Sequence, residues 1–516
     1  MLLCIQVNVM LAQEFPLIEW QRSFGGSELE VPKSIIQASD GSLVIASFAF
    51  SNDLDLIDNV DERNVWLMKM TTEGEVIWQK FYGSIGGSLP RLTIRESTDG
   101  GFVVATRILA AAQGISCDVT SMQGWVFKVD ANGEMVWEKC LGGSEDDGLS
   151  SIEQTFDNGY ILCGGSRSSD GDLTSNNGWN DIWVVKLDSE GSVIWSRNYG
   201  GTGMEGGIDA IQLIDGNYLV AASGRSDDLL FADCNPYFAT NDTGFLLKLD
   251  QNGDVLWKRC FGGTSTDIIW GVAQDQNGTI WVIGYTYSID GDIEVHHGQA
   301  DAWLVKFSSD GQLLANKCYG GTENDFFHDI LPMNDTILVL GYTNSINGDI
   351  SNNYGSNDVW LVAVQDELEL ITEKNYGGSD QDHGFGLVES NDGAIAFCAS
   401  SYSSDFDVTS NYGSGDSWIV KLKPWAVGIE EGVYGPSLSL FPNPANDHLY
   451  ITLNGLSEDE VEIVVIDAVG RVVTSDVLAS GTSSATMSLN GLASGTYQIR
   501  AITSGSRTLC SRFIKL

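Results

Sequence analysis

A chain of 516 residues is too long for one ordinary hydrophobic core, so several domains or an internal repeat are expected. Its 70 Asp and Glu residues against 27 Lys and Arg residues give a net charge of −43, which argues against nucleic acid and anionic membranes as partners. The 59 Gly residues and 43% hydrophobic content are typical of a turn-rich, well-packed β protein rather than of a disordered chain.

The chain begins with the short apolar run "MLLCIQVNVMLAQ", which is similar to the second half of a secretory signal peptide. We therefore assign residues 1–13 to a truncated signal peptide. The run lacks the basic segment that opens such signals, so a start codon placed too late and an accidental similarity both stay open. No other run approaches the ~20 apolar residues of a membrane span, and the sequence predicts no transmembrane segment.

Residues 14–425 contain a repeat with a period of 57 to 62 residues. Two patterns carry it independently. The pattern "WVVKL" aligns on Trp66, Trp125, Trp183, Phe245, Trp303, Trp360 and Trp418. The pattern "IWSRNYGG" aligns on Trp20, Trp78, Trp137, Trp195, Trp257, Ala315 and Thr372.

Each repeat reads as four short strands joined by turns rich in Asp, Asn and Gly, which is the composition of a propeller blade. A strand of the fourth type at 18–26 precedes the first repeat, and the seventh repeat ends without one. We therefore predict an all-β fold in which 14–425 form a seven-bladed β-propeller whose N-terminal strand closes the last blade. An open stack of sheets is the structural alternative, but it would leave two apolar edges exposed.

An acidic loop separates the second and third strands of most repeats, as in "SSDGDLTSNNGWNDIW" at 168–183. Carboxylates at positions one, three and twelve resemble the oxygen ligands of a calcium loop, although a bidentate Glu at position twelve and a Gly at position six are missing. Turns stabilised by Asx side chains need the same residues without any cation. The calcium candidates are Asp170, Asp172, Asp181, Asp290, Asp292, Asp301, Asp349, Asp358, Asp405, Asp407 and Asp416.

The connection from each repeat to the next begins with Gly-Gly and is followed, five residues after the first Gly, by an acid in six of seven cases. We expect these acids to form a ring near the mouth of the propeller channel, where they hold either a ligand or the backbone of the neighbouring loops. The ring consists of Glu30, Asp147, Glu205, Asp267, Asp325 and Asp382, with Ser88 as the exception.

The common catalytic motifs are absent from the sequence, and the five His residues are the remaining candidates for chemistry. His328 and His383 follow two successive connections, beside Asp325 and Asp382, so the four residues could form a metal or acid–base cluster. His296 and His297 lie in the fifth acidic loop. A surface or loop-stabilising role is the alternative for all four histidines.

Two further features concern cysteine and aromatic residues. Cys140, Cys260 and Cys318 occupy equivalent positions in three repeats, so we expect no disulfide framework and mostly small, buried cysteines. The fourth repeat has a longer loop with Phe231, Tyr237 and Phe238, an aromatic cluster that suits contact with a glycan or a protein.

The last 80 residues lose the Trp repeat and alternate apolar and polar residues in short strands, as a small Ig-like β-sandwich would. After a linker at 426–436, the segments "FPNPANDHLYI", "DAVGRVV", "LNGLASGTYQIR" and "FIKL" in 437–516 resemble the type A C-terminal sorting domain of the type IX secretion system of Bacteroidetes. The resemblance implies export through that machinery, removal of the domain, and release or attachment at the cell surface. It puts sorting-motif positions at Pro442, Asn443, Pro444, Asp467, Gly470, Gly495, Tyr497 and Lys515.

These observations favour a secreted or cell-surface, non-catalytic propeller that is monomeric and presents an acidic, calcium-loaded or calcium-free loop face to a glycan or protein. The alternative is a hydrolase or lyase that acts on polysaccharide or peptide at the channel mouth around His328 and His383. A spacer without a ligand is the third reading.

Overall fold

The computed structural model describes residues 15–515 except for 60–62, 85–88, 110–114, 117–120, 235–240, 334–335, 426–436, 442–444, 446–447, 455–460, 468–470, 479–483 and 504–507. The expected signal peptide, the expected linker and the motif residues Pro442, Asn443, Pro444 and Gly470 lie outside the described residues. By its internal contacts the chain divides into an N-terminal unit, Met1–Val427, and a C-terminal unit, Gly428–Leu516.

The N-terminal unit consists of seven four-stranded antiparallel sheets, six of which use four consecutive strands. The first strands of the sheets are β2 (Glu30–Gln37), β6 (Thr93–Glu96), β10 (Asp147–Gln154), β14 (Glu205–Gln212), β18 (Asp267–Gln274), β22 (Asp325–Met333) and β26 (Asp382–Glu389). The second strands are β3 (Leu43–Ala49), β7 (Phe102–Ile108), β11 (Tyr160–Ser166), β15 (Tyr218–Gly224), β19 (Ile280–Thr286), β23 (Thr336–Thr343) and β27 (Ile395–Ser401).

The third strands are β4 (Asn64–Met70), β8 (Gln123–Val129), β12 (Asp181–Leu187), β16 (Thr243–Leu249), β20 (Asp301–Phe307), β24 (Asp358–Gln365) and β28 (Asp416–Leu422). The fourth strands are β5 (Val76–Ser84), β9 (Met135–Leu141), β13 (Val193–Tyr199), β17 (Val255–Phe261), β21 (Leu313–Tyr319) and β25 (Leu370–Tyr376), with β1 (Ile18–Phe24) in the same place in the last sheet. The helices among the described residues are two single 3-10 turns, Leu54–Leu56 and Leu229–Phe231.

The third strands are apolar because neighbouring sheets cover both of their faces. All seven residues of "DIWVVKL" in β12 are buried, and the equivalent strands β4, β8, β16 and β28 are buried along their whole length. Strands that are covered on both faces lose the alternation of polar and apolar residues. The turns between the third and fourth strands use a Gly with positive φ, such as Gly191 at 78°, because a side chain at that backbone conformation would be strained.

The last sheet combines the two ends of the N-terminal unit. Strand β1 pairs with β28 in antiparallel register, with Phe24 opposite Ser417. The Trp418 indole N–H donates to Gln21 Oε1 at 2.8 Å. The pairing that we predicted for 18–26 is therefore present in the structure.

This last sheet also packs against the first complete sheet, β2 to β5. Ile35 and Ile45 share a hydrophobic cluster with Cys398 and Ile419. The Ser400 hydroxyl donates to the Glu30 carbonyl oxygen at 3.3 Å, so the two sheets also meet through polar contacts. The arrangement is propeller-like, in that each sheet has neighbours on both sides, including the first sheet and the last.

Every first strand except the short β6 carries a β-bulge at the same point. The bulges fall between Pro32 and Ser34 and at five equivalent places. A bulge leaves one residue unpaired and turns its side chain away from the regular pattern. The residues in these bulges are Lys33, Ser150, Ile208, Trp270, His328 and Phe385, and Arg91 is the equivalent residue by sequence in the second repeat.

The cysteine expectation is wrong for Cys260, which forms a disulfide with Cys234 over a Cα–Cα distance of 5.8 Å. Cys140 is also disulfide-bonded. The reason is that the partner of Cys260 lies in the loop of its own repeat, which folds back onto β17, and not at an equivalent position of another repeat. Cys163, Cys318 and Cys398 are free and buried, as expected.

The C-terminal unit has two antiparallel sheets that share one hydrophobic core containing Leu449, Ile463 and Ile499. One sheet has the order β29-β30-β33 and the other β32-β31-β34-β35. The strands are β29 (Ser437–Phe441), β30 (His448–Asn454), β31 (Val461–Ile466), β32 (Val472–Leu478), β33 (Ser484–Ser488), β34 (Gly495–Thr503) and β35 (Thr508–Lys515). Among the residues described in either unit, no helix has the length and hydropathy that crossing a membrane requires.

Candidate functional site

The first two acids of each acidic loop bind the backbone of the glycine connection that enters the same repeat. Asp170 Oδ1 accepts a hydrogen bond from the Ser144 N–H at 2.8 Å, and Asp172 Oδ2 accepts one from the Gly142 N–H at 2.9 Å. The same pair of contacts recurs at Asp290 with Thr264 N and Asp292 with Gly262 N, at Asn347 with Thr322 N and Asp349 with Gly320 N, and at Asp53 with Ser27 N and Asp55 with Gly25 N. Asp405 accepts from the Ser379 N–H at 2.8 Å.

The acid at position twelve lies elsewhere, next to the connection that leaves the repeat. Asp181 is fully buried; its Oδ2 accepts from the Asn177 N–H at 2.8 Å, and its Oδ1 lies against Gly200. Asp301, Asp358 and Asp416 are placed in the same way, and their Oδ2 atoms accept from the N–H of His297, Tyr354 and Tyr412.

The structure therefore does not bring positions one, three and twelve together around one point. No group of three or more His, Cys, Asp or Glu side chains suited to a metal ion is found in the part of the chain that the structure describes. The observed contacts are those of the turn interpretation, and calcium binding by these loops stays a prediction.

The six acids that we expected around a channel mouth are buried at the starts of the first strands, each at most 1% exposed. Asp147 is representative: its Oδ2 accepts from the Gly143 N–H at 2.6 Å and from the Ser168 hydroxyl at 2.7 Å, and its Oδ1 accepts from the Ser166 hydroxyl. Glu30, Glu205, Asp267, Asp325 and Asp382 likewise accept from the second Gly of the connection before them. These contacts are the ones expected if each acid binds the backbone of a neighbouring loop and not a ligand.

In four places an acid of this ring faces the position-twelve acid of the preceding repeat across the first glycine of the connection. At Gly377 the point that a Cβ would occupy lies 2.5 Å from Asp382 Oδ2 and 2.9 Å from Asp358 Oδ1. The pairs are Asp358 with Asp382, Asp416 with Glu30, Asp181 with Glu205, and Asp301 with Asp325. Asn64, Gln123 and Thr243 replace the position-twelve acid in the other three repeats.

The geometry of these pairs favours a proton in at least some of them. The Oδ1 atoms of Asp181, Asp358 and Asp416 are buried and have no hydrogen-bond donor in the described structure. Burial raises the pKa of Asp358 to about 7, with a further contribution from the charge of Asp382, and burial with the charge of Glu30 raises the pKa of Asp416 to about 6. A protonated Oδ1 can donate to the facing carboxylate, which a charged one cannot.

The predicted His and Asp cluster is assembled only in part. His328 and His383 both contact the Tyr342 ring, with centroid distances of 5.1 and 4.3 Å. His328 Nδ1 lies 2.9 Å from the Gly384 carbonyl oxygen, and His383 Nε2 lies 3.1 Å from Asn357 Nδ2. Burial lowers the pKa of both imidazoles, that of His383 to about 4.

The acids of that predicted cluster are held elsewhere. Asp325 and Asp382 bond to hydroxyl groups and to glycine N–H groups, and neither forms an ion pair with the two histidines in the described structure. In the fifth acidic loop His297 Nδ1 lies 3.0 Å from Asp301 Oδ2, and His296 Nε2 lies 3.3 Å from the Thr286 carbonyl oxygen. These two histidines therefore make loop-stabilising contacts.

A cavity of about 490 Å³, termed the first-strand cavity, is lined by residues of all seven repeats. Its lining includes six of the residues at the bulge position, which are Lys33, Arg91, Ser150, Trp270, His328 and Phe385. Sequence reasoning missed this site, because the residues that form it differ from repeat to repeat and no motif surrounds them.

The acidic loops also expose apolar side chains that the repeat analysis did not single out. Leu54, Leu229 and Phe406 are 54%, 59% and 67% exposed and have φ values of 52°, 47° and 50°. The equivalent residues in three other loops are Gly171, Gly291 and Gly348, which have φ values of 66°, 70° and 73°. Non-glycine residues with positive φ are uncommon and strained. Their signal in the sequence is a bulky residue at the position where other loops have Gly.

The aromatic cluster expected in the fourth loop is wrong for Phe231. This side chain is fully buried and stacks on Phe245 with a centroid distance of 4.0 Å, because the 3-10 turn Leu229–Phe231 directs it into the core. Tyr237 and Phe238 lie outside the described residues. The exposed aromatic residues of the loops are instead Trp179, Tyr287, Phe406 and Tyr412, among those that the structure describes.

Comparison with known proteins decides the nature of the C-terminal unit. Residues 439–515 match the family model described as "Secretion system C-terminal sorting domain". This segment is a type IX sorting domain. The chain is therefore a protein that is secreted to the cell surface or beyond it.

The described motif residues of the sorting domain have structural contacts within it. Gly495 adopts a φ of 154° at the start of β34 and lies opposite Lys515 of β35. The Tyr497 hydroxyl donates to the Ala493 carbonyl oxygen at 2.8 Å, and its ring stacks on Phe513. Asp467 Oδ1 accepts from the Arg471 N–H at 2.9 Å.

The other similarities are distant. "Regulatory protein FlaEY" of Caulobacter vibrioides is 28% identical over 222 residues, which are 40% of this chain and 23% of that protein, so the chain spans less than a quarter of this relative. Among solved structures, the Neurospora crassa Pan2 WD40 domain has 10% identity and a TM-score of 0.41 over 80% of this chain and 97% of its own. Puromycin hydrolase has 11% identity and a TM-score of 0.44 over 85% and 62%. These TM-scores are below 0.5 and carry no argument about function.

The glycine connections predict a selective sensitivity to side chains. Gly200→Ala would place a Cβ closer than 3.0 Å to both Asp181 Oδ1 and Glu205 Oε2, whereas the nearest atom to a Cβ at Gly206 is Asn180 Nδ2 at 4.0 Å. We expect Gly200→Ala to lower the free energy of unfolding by about 1–3 kcal/mol, the usual cost of overpacking, and Gly206→Ala to change it by less than about 1 kcal/mol. Thermal unfolding of both variants measures this difference, and equal effects would contradict it.

The acid pairs predict that their own contribution to stability is lost as the pH rises from 5 to 8, whereas the buried imidazoles of His328 and His383, whose pKa is lowered, destabilise the folded chain as the pH falls below the ordinary His pKa. The pKa of Asp358 and Asp416 is higher in the folded chain than in the unfolded chain, so their contribution is present below the ordinary Asp pKa and is lost as the pH passes about 7 and 6. Asp358→Asn, which keeps the shape of the protonated form, should therefore unfold at a higher temperature than the wild type at pH 8 and show a weaker pH dependence.

Asp170→Asn is the matched control for this experiment. The pKa of Asp170 is lowered by the hydrogen bonds from Ser144, so this group is ionised throughout the range from pH 5 to 8. The control should keep the pH dependence of the wild type between these values. A pH dependence of the melting temperature in Asp358→Asn that equals that of the wild type would show that this pair is not protonated in the folded protein.

Proposed function

We propose that the chain is a secreted or surface-displayed, non-catalytic seven-bladed β-propeller whose acidic loop face binds a protein partner. The seven sheets, the pairing of β1 with β28, and the packing of the first complete sheet on the last sheet support a closed ring. The two sheets of the sorting domain support an Ig-like sandwich that is handled by the type IX machinery.

In such a ring the loops between second and third strands lie on one face, together with the glycine connections that they bind. The observation that carries the proposal is the set of exposed apolar side chains on these loops. They include Leu54, Trp179, Leu229, Ile289, Ile346 and Phe406, all more than half exposed. They stand among carboxylates, and three of them occupy strained backbone positions that glycine fills in other loops.

Strain and exposure together indicate that these side chains are not present for stability. An exposed apolar side chain gains little from folding, and a non-glycine residue with φ near 50° costs about 1–2 kcal/mol. Residues that cost stability and contact solvent are typical of binding surfaces.

The chemistry of the set favours a protein over a glycan. Four of the six side chains are aliphatic, and these provide no flat aromatic surface for a sugar ring. Apolar side chains surrounded by carboxylates complement a partner with apolar and basic residues. The hydrolase alternative has no specific support, because Asp325 and Asp382 are bound away from His328 and His383.

A triple variant, Leu54→Gly with Leu229→Gly and Phe406→Gly, tests this proposal. Removing the strain should leave the free energy of unfolding unchanged or raise it by up to about 1 kcal/mol per site, after the entropy of glycine is counted. Binding of the full chain to a panel of purified extracellular proteins, measured by biolayer interferometry, should fall at least tenfold for every protein that the wild type binds saturably.

The control variant removes equally exposed apolar side chains from the fourth strands: Val136→Ser, Ile194→Ser and Leu256→Ser. It should bind like the wild type. Loss of binding in the control alone would contradict the assignment to the loop face, as would saturable binding of the wild type on a glycan array with no protein ligand in the panel.

A further inference from the structure

The first-strand cavity contains two cationic side chains that lack an anionic partner, although the protein as a whole is strongly acidic. Lys33 Nζ lies 3.8 Å above the Phe385 ring, and no ion pair joins it to the residues that the structure describes. The Arg91 guanidinium lies 4.1 Å from the Trp270 ring and donates through Nη1 to the Trp270 carbonyl oxygen at 3.0 Å. Its Nη2 is buried and has no hydrogen-bond acceptor, and the same is true of Trp270 Nε1.

The carboxylates in the lining do not complete these contacts. Asp329 accepts from the N–H groups of Ile330 and Leu387, and Asp209 accepts from those of Ala210 and Val272. The third basic residue of the lining, Arg95, is already paired with Glu153, with Nε at 2.6 Å from Oε2. Lys33 Nζ, Arg91 Nη2 and Trp270 Nε1 are therefore left without an acceptor in the described structure.

The lowered pKa values of Lys33 and Arg91 also indicate that an added negative charge would stabilise the cavity. Burial, and after it the charge of Arg91, lowers the pKa of Lys33 to about 8; burial lowers the pKa of Arg91 to about 10, although the charges of Asp209 and Asp329 act in the opposite direction. Two cations held in one partly buried cavity repel each other and are poorly hydrated, so the free protein is less stable than it would be with neutral residues there. Residues that destabilise the free protein in this way are typical of ligand sites.

The position of these residues in the repeat also favours a ligand site. Lys33, Arg91 and Trp270 each lie three residues after the ring position of their repeat. Lys33 and Trp270 lie in bulges of β2 and β18, and Arg91 precedes β6. The starts of the first strands keep an acid in six of seven repeats, whereas the bulge position varies from Lys and Arg to Ser, Ile, Trp, His and Phe. The repeat symmetry is thus broken where the seven strands line a common cavity.

We propose that the first-strand cavity is a binding site for a small molecule that carries an oxyanion, a carboxylate or a sulfate, held by Lys33 Nζ and the Arg91 guanidinium. Arg and Lys form short, charge-assisted hydrogen bonds with such groups. A cavity of about 490 Å³ is within the range of small-molecule sites. None of the loop side chains named above lines this cavity, so either proposal can fail without the other.

Isothermal titration calorimetry of the full chain with three probes tests this proposal: sodium glucuronate, sodium sulfate and glucose as the neutral analogue. We expect saturable binding of glucuronate or sulfate and none of glucose. Binding of glucuronate alone would identify a carboxylate ligand, and binding of sulfate alone a sulfate group. Absence of saturable binding by both anions up to about 10 mM, or equal binding of glucose and glucuronate, would overturn the proposal.

Variants assign the binding to this cavity. Lys33→Gln and Arg91→Gln should each weaken anion binding at least tenfold, whereas Lys80→Gln, which removes a partly exposed fourth-strand lysine that pairs with Glu134, should leave it unchanged. Lys33→Met gives an independent readout, because removing an unpaired, partly buried cation should raise the melting temperature of the free protein. Unchanged anion binding in Lys33→Gln, or a lower melting temperature in Lys33→Met, would contradict the role of Lys33.

Discussion

The N-terminal unit depends on the hydrogen bonds between carboxylates and the backbone of the glycine connections. Where the chain leaves one sheet for the next, its N–H groups have no strand partner, and a buried N–H without an acceptor costs about 1–3 kcal/mol. The acids of the loop and of the next first strand supply these acceptors, as Asp170, Asp172 and Asp147 do around Gly142 and Gly143. Glycine is required at these places because carboxylate oxygens occupy the space of a Cβ.

This arrangement accounts for part of the unusual charge of the chain and has an electrostatic consequence. Each connection brings an acid from the preceding repeat against an acid from the following one, as with Asp358 and Asp382. Two facing carboxylates in a buried site are tolerated when they share a proton. The acids that looked like ligands in the sequence therefore bind the backbone of the connections, while the two proposed binding sites use residues that depart from the repeat, such as Phe406 in a loop and Lys33 in a bulge.

The sequence predicted the strands well because the repeat presents each of them seven times. The spacing of Trp66, Trp125 and the later tryptophans defined the third strands, and the early strand with Trp20 indicated the pairing of β1 with β28. A pattern that is common to all repeats does not show the features that occur in one repeat only. The disulfide of Cys260 depends on Cys234 in one loop, and the burial of Phe231 depends on one 3-10 turn. Because the residue at the bulge position differs from repeat to repeat, no sequence pattern predicted the lining of the first-strand cavity.

The whole arrangement depends on the satisfaction of the loop acids by backbone donors. Elemental analysis of the purified full chain, combined with thermal unfolding in the presence of calcium and of a chelator, tests it most directly. We expect less than stoichiometric calcium in the purified chain and the same melting temperature under both conditions. One calcium ion or more per acidic loop, together with a melting temperature that falls on chelation, would contradict it.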